Sequence, residues 1–332
     1  MLEVLDVSGL VTFQDSGRRG WQSYGVPVSG PMDWFAHRVA NSLVNNTTDS
    51  AVIEIGLGEA VFRAKRDCVL VVTGAGFEVV NYIWTFPLWT SFFVRAGWHV
   101  HVKKICGGNW AYLAIAGGFV TPSILGSRST YLRGGLGSAI CTGDILQTGK
   151  PANELGKLAA QNFPVKKYMN YSQSPVIEVI SGPQQDKFTK DGIQTFYESE
   201  YTLSNSFDRM GYRLEPAPRT AQGSSSLIVP SSAQSITHLA SADLISEGMT
   251  MGSVQIPANG QPIVMMADAP TTGGYPKIAN VIRADLPLLA QCEAGVSKIR
   301  FKETTVENAQ ENYRRLYAQI ANFSSQLLKN VD

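Results

Sequence analysis

Charge is scarce in this chain, and it has no apolar run long enough to cross a membrane. Lys, Arg, Asp and Glu make up 17% of the 332 residues, and 28 basic against 27 acidic residues leave a net charge of +1. This balance excludes the basic footprint of a nucleic-acid or anionic-membrane binder. No apolar run approaches the ~20 residues of a span, and no basic segment precedes an apolar one at the N-terminus. We therefore expect a cytoplasmic protein that binds neither nucleic acid nor membrane.

Paired cysteines and metal-ligand spacings are also missing. The four cysteines are scattered without a Cys-x-x-Cys spacing, which excludes a zinc knuckle and a redox motif. His99 and His101 share one face of a strand, but no carboxylate follows them in that segment. This pattern favours a solvated strand face over a metal site, so we predict no metal.

The common cofactor motifs are absent as well. Gly74 and Gly76 follow a strand, but Val79 stands where a dinucleotide fingerprint needs its third glycine. The sequence contains no P-loop, no Gly-x-Ser-x-Gly elbow and no His-Glu-x-x-His motif. A Met-Lys-Met biotin-attachment site is missing too. The chain is therefore expected to carry no cofactor of its own.

Short strand-like runs that are bounded by glycine or proline are abundant. The chain has 31 glycines and 16 prolines, and these bound β-branched or aromatic runs of four to six residues, such as Leu10 to Gln14. The pattern predicts a mainly β chain with a few helices, with domains at 1–160 and 174–303 and a polar linker from about Lys150 to Gln173. The sequence around Phe86 resembles that around Leu286, which leaves both duplication and chance open.

Two helices are predicted. Pro31 suits a first helical position, and apolar residues then recur at helical spacing as far as Leu43. At the C-terminus, Thr304 and Glu307 form a capping box, and an apolar stripe continues over 304–329. We expect this amphipathic helix to pack on its own domain rather than on a partner.

Polar residues concentrate in glycine-rich segments. Gln14 belongs to the segment 14–20 and Ser29 to the segment 25–33, and both segments suit either ligand-binding loops or solvated turns. Arg128, Arg209 and Arg213 are concentrated cations whose guanidinium groups can bind a carboxylate bidentately or pair with a nearby acid.

The densest polar segment spans 246–277. It holds Glu247, an apolar strand that ends at Asp268, and then Thr272, two glycines, Tyr275 and Lys277. A carboxylate and hydroxyl groups following a strand are typical of a ligand site at a strand end. A hairpin turn would account for the glycines alone.

Five motifs, in order from about Leu10 to Phe301, resemble the family of allophanate hydrolase subunit 2, which is also the family of the 5-oxoprolinase C-type subunit. This family includes an antagonist of a sensor-kinase inhibitor and the biotin-dependent carboxyltransferase region of urea carboxylase. The motifs are Thr12-Phe13-Gln14-Asp15-Ser16-Gly17-Arg18, the segment 25–33, Gly126-Ser127-Arg128-Ser129-Thr130, the segment 208–214 and Thr271-Thr272-Gly273-Gly274-Tyr275-Pro276. The chain departs from the family pattern at Ala269-Pro270.

The resemblance implies tandem cyclophilin-like β-barrel domains and a role in a heteromeric complex. The implied partners are a smaller subunit, of the allophanate hydrolase subunit 1 or 5-oxoprolinase B type, and a third 5-oxoprolinase subunit. The implied reaction is the ATP-dependent opening of 5-oxoproline to glutamate, with ATP bound through the complex. Two alternatives stay open: a carboxyltransferase component acting on urea or a related amide, and a regulator that binds a sensor-kinase inhibitor.

The same resemblance implies roles for particular residues. Arg209 or Arg213 would hold the substrate carboxylate, and Asp268 or Glu247 would transfer a proton. Thr272 and Tyr275 would orient the substrate carbonyl, while Gln14, Ser29 and Arg128 would contribute further substrate contacts. The glycine-rich loop from Trp21 to Trp34, with Tyr24 and Phe35 beside it, is the first candidate for the surface that contacts the smaller subunit, although the same aromatics could equally close a barrel end.

Overall fold

The chain folds into two compact units, and most of its regular structure is β-strand. The computed structural model describes residues 1–217, 219–220, 228–229 and 235–331, with side chains described up to 217 and from 235 to 327. The first unit comprises Met1–Trp21, Val28–Tyr171 and Arg314–Asp332, and the second comprises Gln22–Pro27 and Ser172–Tyr313. The prediction of a mainly β chain with a few helices is confirmed. The boundaries 1–160, 174–303 and 304–329 stay a prediction.

The first unit contains eleven strands in two antiparallel sheets. The strands are β1 (Leu2–Val7), β2 (Leu10–Gln14), β3 (Val52–Gly56), β4 (Ala60–Ala64), β5 (Cys68–Gly74), β6 (Phe77–Val80), β7 (Thr85–Phe86), β8 (Phe92–Val94), β9 (His99–Lys104), β10 (Trp110–Ile115) and β11 (Ile145–Leu146). The order is β11-β1-β4-β9-β6-β7 in the six-stranded sheet and β2-β3-β10-β5-β8 in the five-stranded sheet.

The two sheets of the first unit share one core. Along β1, Leu2 and Val4 are buried while Glu3 is only half-buried, because successive side chains of a strand point to opposite faces. Leu2 and Val4 join one apolar cluster with Ile53 and Leu113 of the five-stranded sheet. Burial of this shared cluster holds the two sheets together.

Helix α1 (Trp34–Leu43) lies in the first unit, and it begins later than the sequence predicted. The prediction placed Pro31 at a first helical position, but the N-cap is Asp33, whose carboxylate accepts a hydrogen bond from the Ala36 N–H at 2.9 Å. A side-chain cap satisfies a helix-terminal N–H, which explains the start after Asp33.

The polar stretch that was predicted to be a linker is largely part of the first unit. It contains helix α2 (Leu155–Leu158), and Leu158 and Phe163 are buried. The Ser91 hydroxyl donates a hydrogen bond to the Leu158 carbonyl at 2.7 Å. The linker prediction failed here because widely spaced apolar residues anchor this stretch without a regular period.

The second unit contains a closed barrel. Its strands are β12 (Val176–Ser181), β13 (Tyr201–Phe207), β14 (Gly211–Pro216), β15 (Arg219–Thr220), β16 (Ile228–Val229), β17 (Glu247–Gly248), β18 (Ser253–Gln255), β19 (Ile263–Met265), β20 (Thr272–Gly273), β21 (Lys277–Val281) and β22 (Lys298–Glu303). Seven of them close in the order β12-β21-β18-β19-β14-β13-β22. The strands β17 and β20 form a separate two-stranded ribbon, and β15 pairs with β16.

Three further helices complete the described chain: α3 (Lys190–Glu198), α4 (Leu286–Ala290) and α5 (Val306–Val331). The suspected repeat is not borne out locally, because Phe86 ends strand β7 whereas Leu286 begins helix α4. Among the described residues, no helix has the length and apolar character that crossing a bilayer requires.

The C-terminal helix α5 starts one residue after a cap that differs from the predicted one. Thr305, not Thr304, accepts the hydrogen bond from the Asn308 N–H at 3.2 Å. From Arg314 onwards the helix belongs to the first unit, where Phe323 packs edge-on against Phe163 with ring centroids 4.9 Å apart. The apolar stripe of α5 thus packs within the chain.

Candidate functional sites

Two predicted site residues of the second unit bind each other. The Arg209 guanidinium donates to both carboxylate oxygens of Asp268, with Nε–Oδ2 and Nη2–Oδ1 distances of 2.8 and 2.9 Å. Their side chains are only 5% and 11% exposed. The bidentate pair ties the turn before β14 to the loop after β19. The contacts therefore indicate that Arg209 and Asp268 hold structure.

A second polar cluster joins the ribbon to the barrel. Glu247 on β17 accepts hydrogen bonds from Lys277 Nζ at 3.1 Å and from Gln184 Nε2 at 2.6 Å. The Lys277 side chain is 6% exposed, whereas that of Glu247 is 50% exposed. Gln184 Oε1 also accepts the Lys277 backbone N–H at 3.2 Å. This ribbon cluster of Glu247, Lys277 and Gln184 places a buried ammonium next to a carboxylate that water can reach.

The ribbon carries the remaining predicted residues of this segment. Thr272 on β20 is exposed, and Tyr275 just after the ribbon is 39% exposed. A Cβ atom on Gly273 would lie 2.7 Å from Gln255 Nε2, so a larger residue here would displace the Gln255 side chain. Glu247 pairs with Gly273 across the ribbon, which brings Thr272 and Tyr275 into the neighbourhood of Glu247 and Lys277.

Arg213 lies on the outer face of the barrel, on the same side as a residue that contacts the ribbon. It is opposite Ile263, and Ile263 is opposite Gln255. Directly opposed residues point to the same side of a sheet, so Arg213 shares its side with Gln255, which contacts the ribbon. Two strand spacings separate Arg213 from Gln255, about 10 Å. The exposed Arg213 is thus available to a ligand on this face.

The first unit holds a polar cluster around Asp15. The buried carboxylate accepts hydrogen bonds from the Ser127 and Ser129 hydroxyls at 2.5 and 2.7 Å, and from the Gly17 and Arg128 N–H groups at 3.0 and 2.6 Å. Burial alone would raise the pKa of Asp15, but these hydrogen bonds to the charged form outweigh burial and hold the pKa below its ordinary value. Asp15 thus binds the 126–130 loop as a charged carboxylate.

Three predicted substrate-binding residues surround this cluster. Gln14 is fully buried, and its Nε2 donates to the Thr130 carbonyl at 3.1 Å. Within the described residues, Gln14 Oε1 and the Ser29 hydroxyl are buried without a hydrogen-bond partner. Ser29 has a φ of +55°, a conformation that costs energy for a residue other than glycine. Arg128 is exposed and its Nε donates to the Thr121 carbonyl at 3.0 Å.

A buried network that the sequence did not reveal holds the loop before α1. Glu54 Oε2 accepts hydrogen bonds from the Met32 N–H and the Tyr112 hydroxyl, both at 2.8 Å. The Tyr112 oxygen accepts the Asp33 N–H at 2.7 Å, and Asp33 Oδ2 accepts the Tyr171 hydroxyl at 2.8 Å. Burial, together with the nearby carboxylates, raises the pKa of both tyrosines well above its ordinary value. Both phenols therefore stay protonated and donate.

The histidines and the loop proposed for partner contact are also placed. His101 Nε2 lies 3.3 Å from Glu59, and the described residues contain no group of three or more potential metal ligands.

In the loop 21–34, Tyr24 is 76% exposed, whereas Trp34 and the adjacent Phe35 are buried. The prediction that Phe35 lies on a contact surface is wrong, because helix α1 turns it into the core.

The chain belongs to the family of the carboxyltransferase domain, subdomain A and B, which matches residues 24–303. It is 34% identical to the C subunit of 5-oxoprolinase from Escherichia coli (strain K12), over 97% of this chain and 98% of that protein. It is also 34% identical to the C subunit of 5-oxoprolinase from Haemophilus influenzae, over 95% of both chains. The crystal structure of the K. lactis urea amidolyase matches with a TM-score of 0.80 at 25% identity, over 97% of this chain and 20% of that chain.

Lys277 and Gln184 are the two residues of the ribbon cluster to which the sequence assigned no role. Lys277 directly follows the 271–276 motif, so its position gave a usable signal. Gln184 lies 93 residues before Lys277 and outside every motif, and only the fold brings it to the cluster.

Proposed function

We propose that this chain is the C subunit of an ATP-dependent 5-oxoprolinase, which opens the lactam of 5-oxoproline to glutamate. The observation that carries the proposal is the 34% identity to the E. coli C subunit, over 97% of this chain and 98% of that protein. The urea amidolyase of Lachancea kluyveri is 27% identical, and this chain covers only 16% of it. The end-to-end match favours the separate subunit over the multidomain carboxylase.

The ribbon cluster supplies groups that suit this reaction. We propose that Lys277 binds the lactam oxygen, because a buried ammonium stabilises negative charge better than one in water. Glu247 is half exposed and in contact with Lys277, so it is our candidate for proton transfer. Thr272 and Tyr275 orient the carbonyl, and Arg213 on the same barrel face binds the carboxylate. Arg209 and Asp268 support the site through their own ion pair.

The chemistry explains the need for ATP. Amide resonance makes a lactam a poor electrophile, and transfer of the γ-phosphoryl group to the lactam oxygen removes that resonance. Water then adds to the ring carbon and gives its proton to Glu247. The C–N bond breaks, the nitrogen takes up a proton, and a second water hydrolyses the acyl phosphate to the glutamate carboxylate and phosphate.

We place ATP binding with the partner subunits. Helix N-termini bind phosphate through free N–H groups, but α1 is capped by the Asp33 carboxylate. Helices α3 and α5 carry Asp191 and Glu307 in their first turns. Among the described residues, every helix of eight or more residues therefore has an acidic group at its N-terminus, which disfavours a phosphate there. We propose a smaller B-type subunit and a third subunit as partners, with Trp21 and Tyr24 at the contact surface.

We further propose that both units are cyclophilin-like β-barrels and that the complex is cytoplasmic. The closed seven-stranded barrel of the second unit and the shared core of the two sheets in the first unit support the first part. The four free cysteines, two of them exposed, support the second, because reducing compartments keep thiols unpaired.

The test is a coupled assay of the purified chain with each combination of co-expressed partner subunits. We expect glutamate and ADP to appear together, only with ATP and only in the full complex. Lys277→Met should lower kcat/KM by about 10²-fold, the magnitude for loss of one oxyanion donor, while Lys302→Met on the exposed side of β22 should leave it unchanged. If Lys277→Met keeps activity within twofold of wild type, the ribbon is not the active site. If the complex instead carboxylates urea with a biotinylated partner, the 5-oxoprolinase proposal is wrong.

A further inference from the structure

The first unit contains a small cavity beside β2, separate from the ribbon cluster. Its volume is about 160 Å³, close to the ~150 Å³ of an engineered protein cavity that admits benzene. Part of its lining is apolar and consists of Phe13, Ile140 and Leu146. The exposed Arg128 and Asp144 also line it, so a ligand can enter from solvent. The size suits a molecule with one five- or six-membered ring.

The charged groups of the lining favour an anion. Arg18 and Arg128 both line the cavity, against the single carboxylate of Asp144. Arg18 is 1% exposed, and its Nη2 donates to the Ser129 carbonyl at 2.8 Å. The Arg128 Nε donates to the Thr121 carbonyl, which fixes the guanidinium plane and leaves its further donors on the two Nη atoms. Such a guanidinium in the lining can bind a carboxylate through its Nη donors.

One hydroxyl of the lining can serve a second polar group of a ligand. The Ser127 and Ser129 hydroxyls donate to the Asp15 carboxylate, so their protons are committed. The Thr130 hydroxyl donates a hydrogen bond to the Ser138 carbonyl at 3.5 Å, which is the outer limit of a hydrogen bond. A ligand oxygen at a shorter distance would therefore take this donor.

We propose that this cavity is a binding site for a small cyclic organic carboxylate, held by Arg128 at its carboxylate and by Thr130 at a second oxygen. The ring packs on the apolar wall formed by Phe13, Ile140 and Leu146. The site is complete within the first unit, and it does not depend on the catalytic role of Lys277 or on the 5-oxoprolinase activity.

The experiment is isothermal titration calorimetry of the purified full chain with three probes. The probes are 5-oxoproline, cyclopentanecarboxylate, which lacks the second oxygen, and pyrrolidin-2-one, which lacks the carboxylate. We expect the affinity to be highest for 5-oxoproline, lower for cyclopentanecarboxylate and lowest for pyrrolidin-2-one. In a Lys277→Met background, which disables the ribbon site, Arg128→Ala should weaken 5-oxoproline binding by at least about tenfold, because a hydrogen bond to a charged group is lost.

Two further variants make the test specific. Thr130→Val should reduce the affinity for 5-oxoproline without changing that for cyclopentanecarboxylate. Arg133→Ala, on the same segment but outside the lining, is the matched control and should bind as wild type. The proposal is overturned if no probe binds at millimolar concentration, if Arg128→Ala binds unchanged, or if Lys277→Met abolishes the binding. Because the readout is binding to the chain alone, loss of activity in the complex would not affect it.

Discussion

Neutralising Asp268 should destabilise the second unit rather than remove a catalytic group. In Asp268→Asn, the Arg209 guanidinium keeps its charge at 5% exposure but loses its charged bidentate partner. Breaking a buried ion pair from one side costs about 3 to 5 kcal/mol. We expect urea unfolding at neutral pH to show a loss of this size in the free energy of unfolding.

Two variants in the same unit serve as comparisons for the stability loss that we expect in Asp268→Asn. Glu200→Gln breaks an ion pair whose Arg300 partner is 65% exposed, and this should cost no more than about 1 kcal/mol.

Asp285→Asn should act in the opposite direction, because burial raises the pKa of Asp285 to about 6. The folded state then binds the proton more tightly than the unfolded state, so stability falls as the pH rises from about 4 through 6. Removing this charge should stabilise the unit at neutral pH by up to about 3 kcal/mol.

A double variant separates structure from chemistry. Arg209→Met combined with Asp268→Leu removes both charges and keeps the volume apolar, so it should recover most of the stability lost in Asp268→Asn. The reasoning is refuted if Asp268→Asn unfolds within about 1 kcal/mol of wild type while the assembled complex loses turnover. That result would return Asp268 to the proton-transfer role that the sequence suggested.

Two further predictions concern groups whose pKa values are shifted by burial. Burial lowers the pKa of His37 to about 4 from an ordinary 6.5, so between these pH values the unfolded chain binds a proton that the folded chain rejects. Stability should therefore fall by about 3 kcal/mol as the pH drops through this window, and His37→Gln should flatten the dependence in urea titrations. Burial also raises the pKa of the Cys68 thiol to about 11 and that of Cys292 to about 12. A thiol reagent should label the exposed Cys106 and Cys141 quickly in the folded chain and all four cysteines only after unfolding; fast labelling of either buried thiol would contradict this.

The sequence predicted the strands well where apolar runs were bounded by glycine or proline. Leu10–Gln14 was predicted with the bounds that β2 has in the structure. It missed β1 and β4, although Leu2 and Val4 alternate with polar or half-buried neighbours as a half-buried strand requires. The closure of one barrel could not be read from periodicity, because strand order depends on pairing between distant segments, such as β12 with β22.

The candidate site was predicted in part. The motif residues Glu247, Thr272 and Tyr275 do gather at one ribbon, since β17 and β20 pair directly. The partner of Arg209 was missed because Asp268 lies 59 residues away, and the spacing of residues within a motif says nothing about such a contact. For the same reason, Arg128 and Gln14 were grouped with the ribbon residues, although they belong to the other unit.

Three acidic residues, Asp15, Asp268 and Glu247, differ in their contacts and in their exposure. Hydrogen bonds from hydroxyl and N–H groups lower the pKa of Asp15, and a buried guanidinium holds both carboxylate oxygens of Asp268, so their partners fix both carboxylates in place. Glu247 contacts a buried ammonium but is half exposed, so water can reach its carboxylate. General acid–base catalysis requires a group that changes protonation within the reaction cycle. Of these three carboxylates, Glu247 alone combines a fixed position with access to water, and this supports our proposal that proton transfer takes place at the ribbon rather than at the more strongly bound aspartates.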